Sequence, residues 1–252
     1  MKIVIVTGAS SGMGREAAIQ LADRFSGIGE IWAVARRAKR LEELKEQVPV
    51  PVRVFPLDLS LEADRNVLAQ ALKEEQPEVR MLVNAAGYGK IGAAGDIPLE
   101  EETGMVRLNC EALCAVTHMV LPYMPKNSRV IQLASSAAFM PQPGFAVYAA
   151  TKAFVLSYSR ALNAELKKRG ILITAVCPGP VKTEFFDVAE TTGKMPFYKE
   201  LTMARAENVV RKALRDSMMG KEVSIYGLPM NAFFVLTKIL PHRLLIQIAG
   251  KL

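Results

Sequence analysis

Cysteine, histidine and long hydrophobic runs are scarce in this chain of 252 residues. Its three cysteines form no CxxC pair, which excludes a disulfide scaffold and predicts a reducing, cytoplasmic location. Its two histidines belong to no cluster of metal ligands, so we expect no metal site. No run approaches the ~20 apolar residues that span a membrane. The amino terminus lacks the apolar core of a signal peptide, and we expect none.

Charge and hydropathy are those of a folded protein without a nucleic-acid partner. Half of the residues are hydrophobic and 23% are charged, which is too apolar a composition for intrinsic disorder. Lysine and arginine exceed the acidic residues by 32 to 25, giving a net charge of +7. This excess is modest and interleaved with apolar residues, so we expect no binding of nucleic acid.

Short buried apolar runs alternate with helical periodicities along the chain. Strands are predicted at residues 3–6, 31–35, 52–57, 81–83, 130–134, 171–177 and 222–226. Helices are predicted at residues 13–25, 38–47, 61–75, 100–124, 148–169 and 205–219, with Ser60 placed to cap the third. The alternation predicts an α/β fold, in which residues 1–227 form one doubly wound, Rossmann-like domain with a seven-stranded parallel sheet.

Residues 228–252 form a C-terminal extension with its own character. They carry Lys238, Arg243 and Lys251 and no acidic residue, and Pro241 divides them into two predicted short amphipathic helices. Three interpretations stay open for this tail. It packs on its own domain or on a partner subunit, it covers an apolar substrate, or it makes peripheral contact with a membrane.

The turn after the first strand reads TGASSGMG and is typical of a phosphate-binding loop. Gly8 permits the tight turn, Gly12 lets the backbone approach a pyrophosphate, and Gly14 lets helix and strand pack closely. The helix that follows offers free N–H groups and the positive end of its dipole to a phosphate. Ser10 and Ser11 add hydroxyl donors. A glycine-rich turn without a ligand is the alternative, and the strand-to-helix setting disfavours it.

The residues after the second strand favour NADP(H) over NAD(H). A carboxylate there would bind a ribose 2′-hydroxyl, but the chain has Arg36, which suits a 2′-phosphate, and no acid before Glu42. NAD(H) stays possible. Asp58 follows the third strand, where it can accept a hydrogen bond from adenine or serve as an ordinary turn residue.

Tyr148 and Lys152 stand four residues apart and therefore share a helix face. An ammonium beside a phenol lowers the tyrosine pKa toward the working range, so the pair predicts an acid/base that exchanges a proton with a carbonyl or alcohol. Ser135, thirteen residues earlier, can hold the same substrate oxygen. Ser136 is its competitor, and the spacing favours Ser135.

The chain resembles the short-chain dehydrogenase/reductase family, in its branch of about this length. The resemblance covers about residues 1–226 and rests on TGASSGMG, on NAAG at 84–87, on Asn109, Ser135 and YAATK, and on Pro178-Gly179, in the family's order and spacing. It implies that Tyr148 is the acid/base and that Lys152 also holds the nicotinamide ribose. It further implies that Asn109 holds a water in a proton relay to Lys152.

By the same resemblance, residues 178–183 close over the nicotinamide. The catalytic set is Asn109, Ser135, Tyr148 and Lys152. The cofactor-binding set is Gly8, Ser10, Ser11, Gly12, Met13, Gly14, Arg36, Asp58, Leu59, Asn84, Ala85, Ala86, Gly87, Tyr148, Lys152, Pro178, Gly179, Val181 and Thr183. A homodimer or homotetramer is expected through the helices at 100–124 and 148–169.

The predicted function is an NADP(H)-dependent oxidoreductase that interconverts a secondary alcohol and a ketone. Aromatic residues in the segment 184–201, together with Met140, indicate a hydrophobic small-molecule substrate. Two other hypotheses remain: a non-enzymatic NADP(H)-binding protein and a protein associated with a membrane surface through the tail.

Overall fold

A parallel sheet forms the centre of the protein. The computed structural model describes residues 1–189 and 203–249. Its strands are β1 Lys2–Thr7, β2 Glu30–Val34, β3 Val52–Phe55, β4 Glu78–Asn84, β5 Arg129–Leu133, β6 Leu172–Val176, β7 Val181–Lys182, β8 Ala204–Arg205 and β9 Val223–Ser224. Within these described ranges, seven strands join in the order β3-β2-β1-β4-β5-β6-β9, and β7 pairs with β8 beside them. Neighbouring strands of the seven are parallel throughout.

Two apolar clusters cover the two faces of the sheet. Successive side chains of a strand point to opposite faces, and β1 shows the consequence: Ile3 and Ile5 lie in one cluster, and Val4 and Val6 lie in the other. A strand buried on both faces must be apolar throughout, which is why β1 reads as a continuous apolar run.

Helices pack on both faces of the sheet. They are α1 Gly12–Arg24, α2 Ala38–Lys45, α3 Glu62–Glu75, α4 Leu99–Val106, α5 Leu113–Val120, α6 Ala146–Leu166, α7 Phe185–Ala189, α8 Ala206–Met218, α9 Leu228–Ile239 and α10 His242–Ala249. The buried apolar residues of α1, α2 and α8 belong to one apolar cluster, and those of α3, together with Val116 and Val120 of α5, belong to the other. The strand order reverses between β1 and β4, and ligands of such sheets bind at the carboxyl ends of the strands near that reversal.

The start of α3 differs from the sequence prediction. Ser60 does not cap this helix, because the N-cap position is Leu61 and no side chain caps it. The Ser60 hydroxyl instead donates to Asp58 Oδ1 at 2.7 Å, and the backbone N–H of Ser60 donates to the same oxygen at 3.0 Å. The cap prediction was wrong because Asp58, two residues earlier, forms a turn that takes up the serine.

The helix predicted at 100–124 is divided in the structure. A π-helical turn, Arg107–Ala112, separates α4 from α5, and a short 3-10 turn, Leu121–Tyr123, follows. A π-helical turn inserts an extra residue into the helix and is common at functional sites. Asn109 lies within this turn and is buried.

The tail forms the two short helices α9 and α10, which meet at Leu240 and Pro241. The inner face of α9 packs on the catalytic side of the domain, where the rings of Phe233 and Phe234 lie 6.0 and 4.8 Å from the ring of Phe139. In residues 1–189 and 203–249, no helix combines the length and the apolar character that crossing a membrane requires.

Candidate active site

A cavity of about 580 Å³ opens at the carboxyl ends of β1, β2 and β4, which is the size of a small-molecule or cofactor site. It is lined by Gly8 and residues 10–14, Arg36 and Arg37, residues 57–60, residues 85–88, Lys90, Glu100, Glu101, Gly104, Arg107, Leu108, Glu184, Phe185 and Val188. Twelve members of the predicted cofactor-binding set are therefore together in one cavity: Gly8, Ser10, Ser11, Gly12, Met13, Gly14, Arg36, Asp58, Leu59, Ala85, Ala86 and Gly87.

The glycine-rich turn is required by close backbone packing. A Cβ added to Gly8, whose φ is +66°, would lie 2.8 Å from the backbone of Ala85. A Cβ at Gly14 would lie 2.3 Å from the carbonyl oxygen of Gly8, so only glycine lets α1 approach this turn. Gly12 has φ +54° and ordinary space around it, so its backbone conformation rather than crowding favours glycine there.

Thr7 fastens this turn to the neighbouring strand and was missed by the sequence prediction. Its hydroxyl oxygen accepts hydrogen bonds from the backbone N–H groups of Ala85 and Ala86, at 3.1 Å each. The bonds hold the ends of β1 and β4 together beneath the cavity. The available signal was a buried threonine at the end of an otherwise apolar strand.

Asn84 is buried below the cavity and serves the frame of the site. Its amide donates to the hydroxyl of Thr117 at 3.0 Å, and Gln132 of the adjacent strand donates to the same hydroxyl at 3.0 Å. Thr117 of α5 thus joins β4 and β5. Asn84 positions the residues that follow it rather than lining the cavity.

Two arginines at the end of β2 have different surroundings. Arg36 is exposed, and its guanidinium lies 3.8 Å from a carboxylate oxygen of Asp58. Arg37 reaches over the glycine-rich turn, where it donates to the Ser10 hydroxyl at 3.2 and 3.1 Å and to Glu184 Oε2 at 2.7 Å. The sequence prediction named Arg36 alone, although Arg37 contacts the turn more closely.

The catalytic candidates meet at the start of α6. Tyr148 is buried between the rings of Phe145 and Phe185, whose centroids lie 4.3 and 5.4 Å from its own. The phenol is hydrogen-bonded to Ser135. Lys152 Nζ lies 5.6 Å from the centre of the tyrosine ring. Serine, tyrosine and lysine are therefore one group, as the spacing predicted.

The electrostatics of this group correct one prediction. Burial raises the pKa of Tyr148 to about 12, although its hydrogen bond with Ser135 acts in the opposite direction. Burial also lowers the pKa of Lys152 to about 8, and the amine donates to the carbonyl oxygen of Leu133 at 2.7 Å. The expected lowering of the tyrosine pKa by the ammonium was wrong, because desolvation dominates and the amine is directed at a backbone carbonyl.

Asn109 is fully buried beside the lysine. Its amide donates to the Tyr88 carbonyl at 2.9 Å and to the Thr151 hydroxyl at 3.0 Å, and its Oδ1 accepts from the Tyr88 N–H at 3.1 Å. A Cβ at Gly87 would lie 2.8 Å from Asn109 Oδ1 and 3.4 Å from Lys152 Nζ. The asparagine and the lysine therefore border the same space above Gly87, and the relay role of Asn109 stays a prediction.

The segment after β6 contacts Ser136 at one end and the glycine-rich turn at the other. The Pro178 carbonyl accepts from the Ser136 N–H at 2.8 Å. Gly179 packs against Met230 of the tail, because a Cβ added to Gly179 would lie 2.6 Å from the Met230 sulfur. Val181 is buried, and the side chain of Thr183 lies 3.4 Å from a Cβ placed on Gly12. These residues border the site without lining its main cavity.

The glycine-rich turn and the group of Ser135, Tyr148 and Lys152 lie at the carboxyl ends of the strands, and residues 178–183 border both. Comparisons with known proteins identify the family of the chain. The family model described as short chain dehydrogenase matches residues 2–193. The chain belongs to the short-chain dehydrogenase/reductase family. Members are oxidoreductases that act on CH–OH groups with a nicotinamide cofactor, and the fold predicted from the sequence is confirmed.

Three similar proteins match this chain over most of its length. Sulfoacetaldehyde reductase 2 of Chromohalobacter salexigens is 34% identical over 237 residues, covering 88% of this chain and 91% of that protein. A short-chain dehydrogenase from Sphingobium yanoikuyae in complex with NADPH is 28% identical, with a TM-score of 0.79 and 96% of both chains covered. A 3-ketoacyl-(acyl-carrier-protein) reductase from Brucella melitensis complexed with NADH is 25% identical, with a TM-score of 0.76, 89% of this chain and 95% of that chain covered.

Proposed function

We propose that this short-chain dehydrogenase/reductase is an NADP(H)-dependent oxidoreductase that interconverts a ketone and a secondary alcohol. The observation that carries the proposal is the buried group of Ser135, Tyr148 and Lys152 beside the glycine-lined cavity. A non-enzymatic binding protein has no use for a phenol held by a serine next to a buried amine. The three free cysteines also fit a reducing compartment, and we propose the cytoplasm.

The cavity fits a dinucleotide with a 2′-phosphate. Gly8, Gly12 and Gly14 let backbone N–H groups at the start of α1 face the pyrophosphate, and Arg36 and Arg37 offer guanidinium groups at the end of β2. Asp58 and Leu59 border the adenine end of this cavity. When bound, the nicotinamide supplies or accepts the hydride. We also propose that Pro178, Val181 and Thr183 contact the nicotinamide directly.

The proton is handled by the protein's own residues. With a pKa of about 12, Tyr148 carries its proton at neutral pH and is ready to donate it to a carbonyl oxygen during reduction. Ser135 holds the same oxygen while negative charge develops on it. Lys152, with a pKa of about 8, gains or loses a proton near neutral pH and can restore the charge of the group.

The substrate side of Tyr148 favours a hydrophobic carbonyl compound. Phe145 and Phe185 flank the phenol and contribute apolar surface, whereas Phe139 and Met140, which follow Ser135, are buried. The named substrates of the relatives differ in polarity, so the proposal rests on these contacts alone. The other aromatic residues predicted for this pocket, at 191–201, lie outside the described residues.

The outer face of α6 supports a homodimer or homotetramer. Phe154 is 41% exposed and stacks on Tyr158, with the ring centroids 5.7 Å apart. An exposed aromatic pair on the helix expected to form the interface is suited to a second copy of the chain. We expect the variant Phe154→Glu to lower the mass measured by light scattering, and an unchanged mass would contradict this interface.

The proposed activity is tested by an assay at 340 nm with NADPH and a panel of aldehydes and ketones that ranges from small and polar to bulky and apolar. We expect turnover of apolar ketones that is lost in Tyr148→Phe. The phenylalanine variant keeps the ring contacts with Phe145 and Phe185, so it separates the proton from the packing. Full turnover by this variant on a true substrate would overturn the proposal.

A further inference from the structure

The carboxylate of Glu184 occupies the anion-binding end of the cofactor cavity. Its Oε2 lies 2.7 Å from Arg37 Nη1, and its Oε1 lies 3.4 Å from Arg40 Nη2. It is also hydrogen-bonded to Ser11, the residue at the N-cap of α1. An acidic side chain is therefore held by two guanidinium groups and a hydroxyl at the place where a phosphate group is expected.

Arg37 is the residue that this contact engages most closely. Its Nε and Nη2 atoms both donate to the Ser10 hydroxyl, and its Nη1 atom donates to Glu184. A guanidinium has five N–H donors in a fixed plane, so a partner on one edge limits how a phosphate approaches the others. Glu184 both neutralises the charge of Arg37 and occupies one edge of its donor plane.

The ion pair of Glu184 and Arg37 is exposed, and it lies at the rim of the cofactor cavity. Glu184 lines the same cavity as Gly12, Arg36 and Asp58. It directly follows Thr183, whose side chain lies against the position of Gly12, and directly precedes Phe185, whose ring packs on Tyr148. The carboxylate is thus fixed between the phosphate loop and the catalytic tyrosine.

We propose that Glu184 competes with the 2′-phosphate of NADP(H) for Arg37 and thereby sets how strongly the protein discriminates between NADP(H) and NAD(H). The inference rests on the proposed binding of NADP(H). A 2′-phosphate must displace the carboxylate, whereas NAD(H), which has a 2′-hydroxyl at that position, leaves the Glu184–Arg37 pair in place. Glu184 therefore weakens the binding of the phosphorylated cofactors selectively.

The test measures the Kd of NADPH and of NADH by nicotinamide fluorescence, for the full chain and for E184Q. Since the lost contact is an exposed ion pair, we expect E184Q to bind NADPH about twofold to fivefold more tightly, with NADH binding unchanged. The matched control is E42Q, which removes one charge from α2, where Glu42 pairs with Lys45 and not with Arg37. We expect E42Q to leave both affinities unchanged.

A double-mutant cycle tests whether the effect of E184Q on NADPH affinity depends on Arg37. In an Arg37→Ala background the competed group is gone, so adding E184Q should leave the NADPH affinity as it is. Weaker NADPH binding by E184Q would mean that the Glu184–Arg37 pair closes over the bound cofactor, and it would overturn the inference. Equal changes for NADPH and NADH, or no change for NADPH, would also overturn it. Failure of the unaltered protein to bind NADPH would overturn the proposed function together with this inference.

Discussion

The two sides of Tyr148 are built on different principles. The cofactor side consists of backbone, glycine and charged groups that follow β1, β2 and β4 within a few residues of each strand end. The proposed substrate side consists of aromatic rings, including Phe185, which packs on Tyr148 across thirty-seven positions of the chain. The residues of the cofactor side lie close together in the sequence, so their pattern can be predicted. The residues of the substrate side come together only through tertiary packing.

The largest expected effect is a loss of turnover when the phenol oxygen of Tyr148 is removed. We expect Tyr148→Phe to lower turnover by about a thousandfold, within the range for loss of an acid/base group. The Kd of NADPH should stay within about twofold, because the cofactor cavity does not depend on the phenol oxygen. Steady-state rates and nicotinamide fluorescence check the two halves of this expectation, and a parallel loss of NADPH binding would contradict the separation.

The next effect concerns the backbone packing on the cofactor side. A methyl group at Gly14 would meet the Gly8 carbonyl, which belongs to the backbone and cannot rotate away. We expect Gly14→Ala to lower the free energy of unfolding by about 2–3 kcal/mol, as overpacking of a rigid site does. Urea denaturation followed by circular dichroism measures it. A variant as stable as the original protein would show that α1 is free to shift.

On the substrate side, Phe234→Ala should cost less than overpacking at Gly14. Phe234 packs on Phe139 from the edge of the core, so we expect a loss of about 1–2 kcal/mol from its partly buried ring. The KM for an apolar ketone should rise while NADPH binding persists. Equal losses of ketone and NADPH affinity would mean that the tail supports the whole domain rather than the substrate side.

A further effect is a pH dependence of stability at Lys152. The pKa of this amine falls from 10.5 to about 8 in the folded protein, so the unfolded state binds more protons between those values. The penalty of burying the ammonium is fully present below pH 8 and disappears as the pH rises toward 10.5. We expect the original protein to gain stability over this interval relative to Lys152→Met. Parallel curves from urea denaturation at several pH values would contradict the lowered pKa.

The smallest effect on catalysis is expected at the outer face of the tail. Leu228, Val235 and Ile239 are exposed on α9, at positions that share one helix face, and Lys238 is adjacent to Ile239. For the proposed membrane contact, Ile239→Glu should abolish co-sedimentation with vesicles containing anionic lipid and leave ketone reduction unchanged. Ile239→Leu is the matched control. Equal sedimentation of both variants would exclude this surface as the contact.

The sequence is sufficient for residues whose partners are near in the chain or fixed by the parallel sheet. Gly8, Gly14, and the pair Tyr148 and Lys152 follow from turn geometry and helical spacing. Two failures have a physical cause. The ion pair of Arg37 and Glu184 joins residues 147 positions apart, and no local pattern specifies it.

The pKa of Tyr148 is the second failure. Spacing indicates that an ammonium is near the phenol, but it does not indicate that Phe145 and Phe185 bury the ring. It also does not indicate that the amine of Lys152 is taken by the Leu133 carbonyl. The sign of the shift depends on which of these contributions is larger, and desolvation is.

We propose that this short-chain dehydrogenase/reductase selects a phosphorylated nicotinamide cofactor, which a thermal-shift titration with NADP+, NADPH, NAD+ and NADH can test. A ligand that binds only the folded state raises the melting temperature. We expect stabilisation by NADP+ and NADPH that is reduced in Arg36→Ala. Stabilisation by NAD+ and NADH alone, or by none of the four, would contradict it.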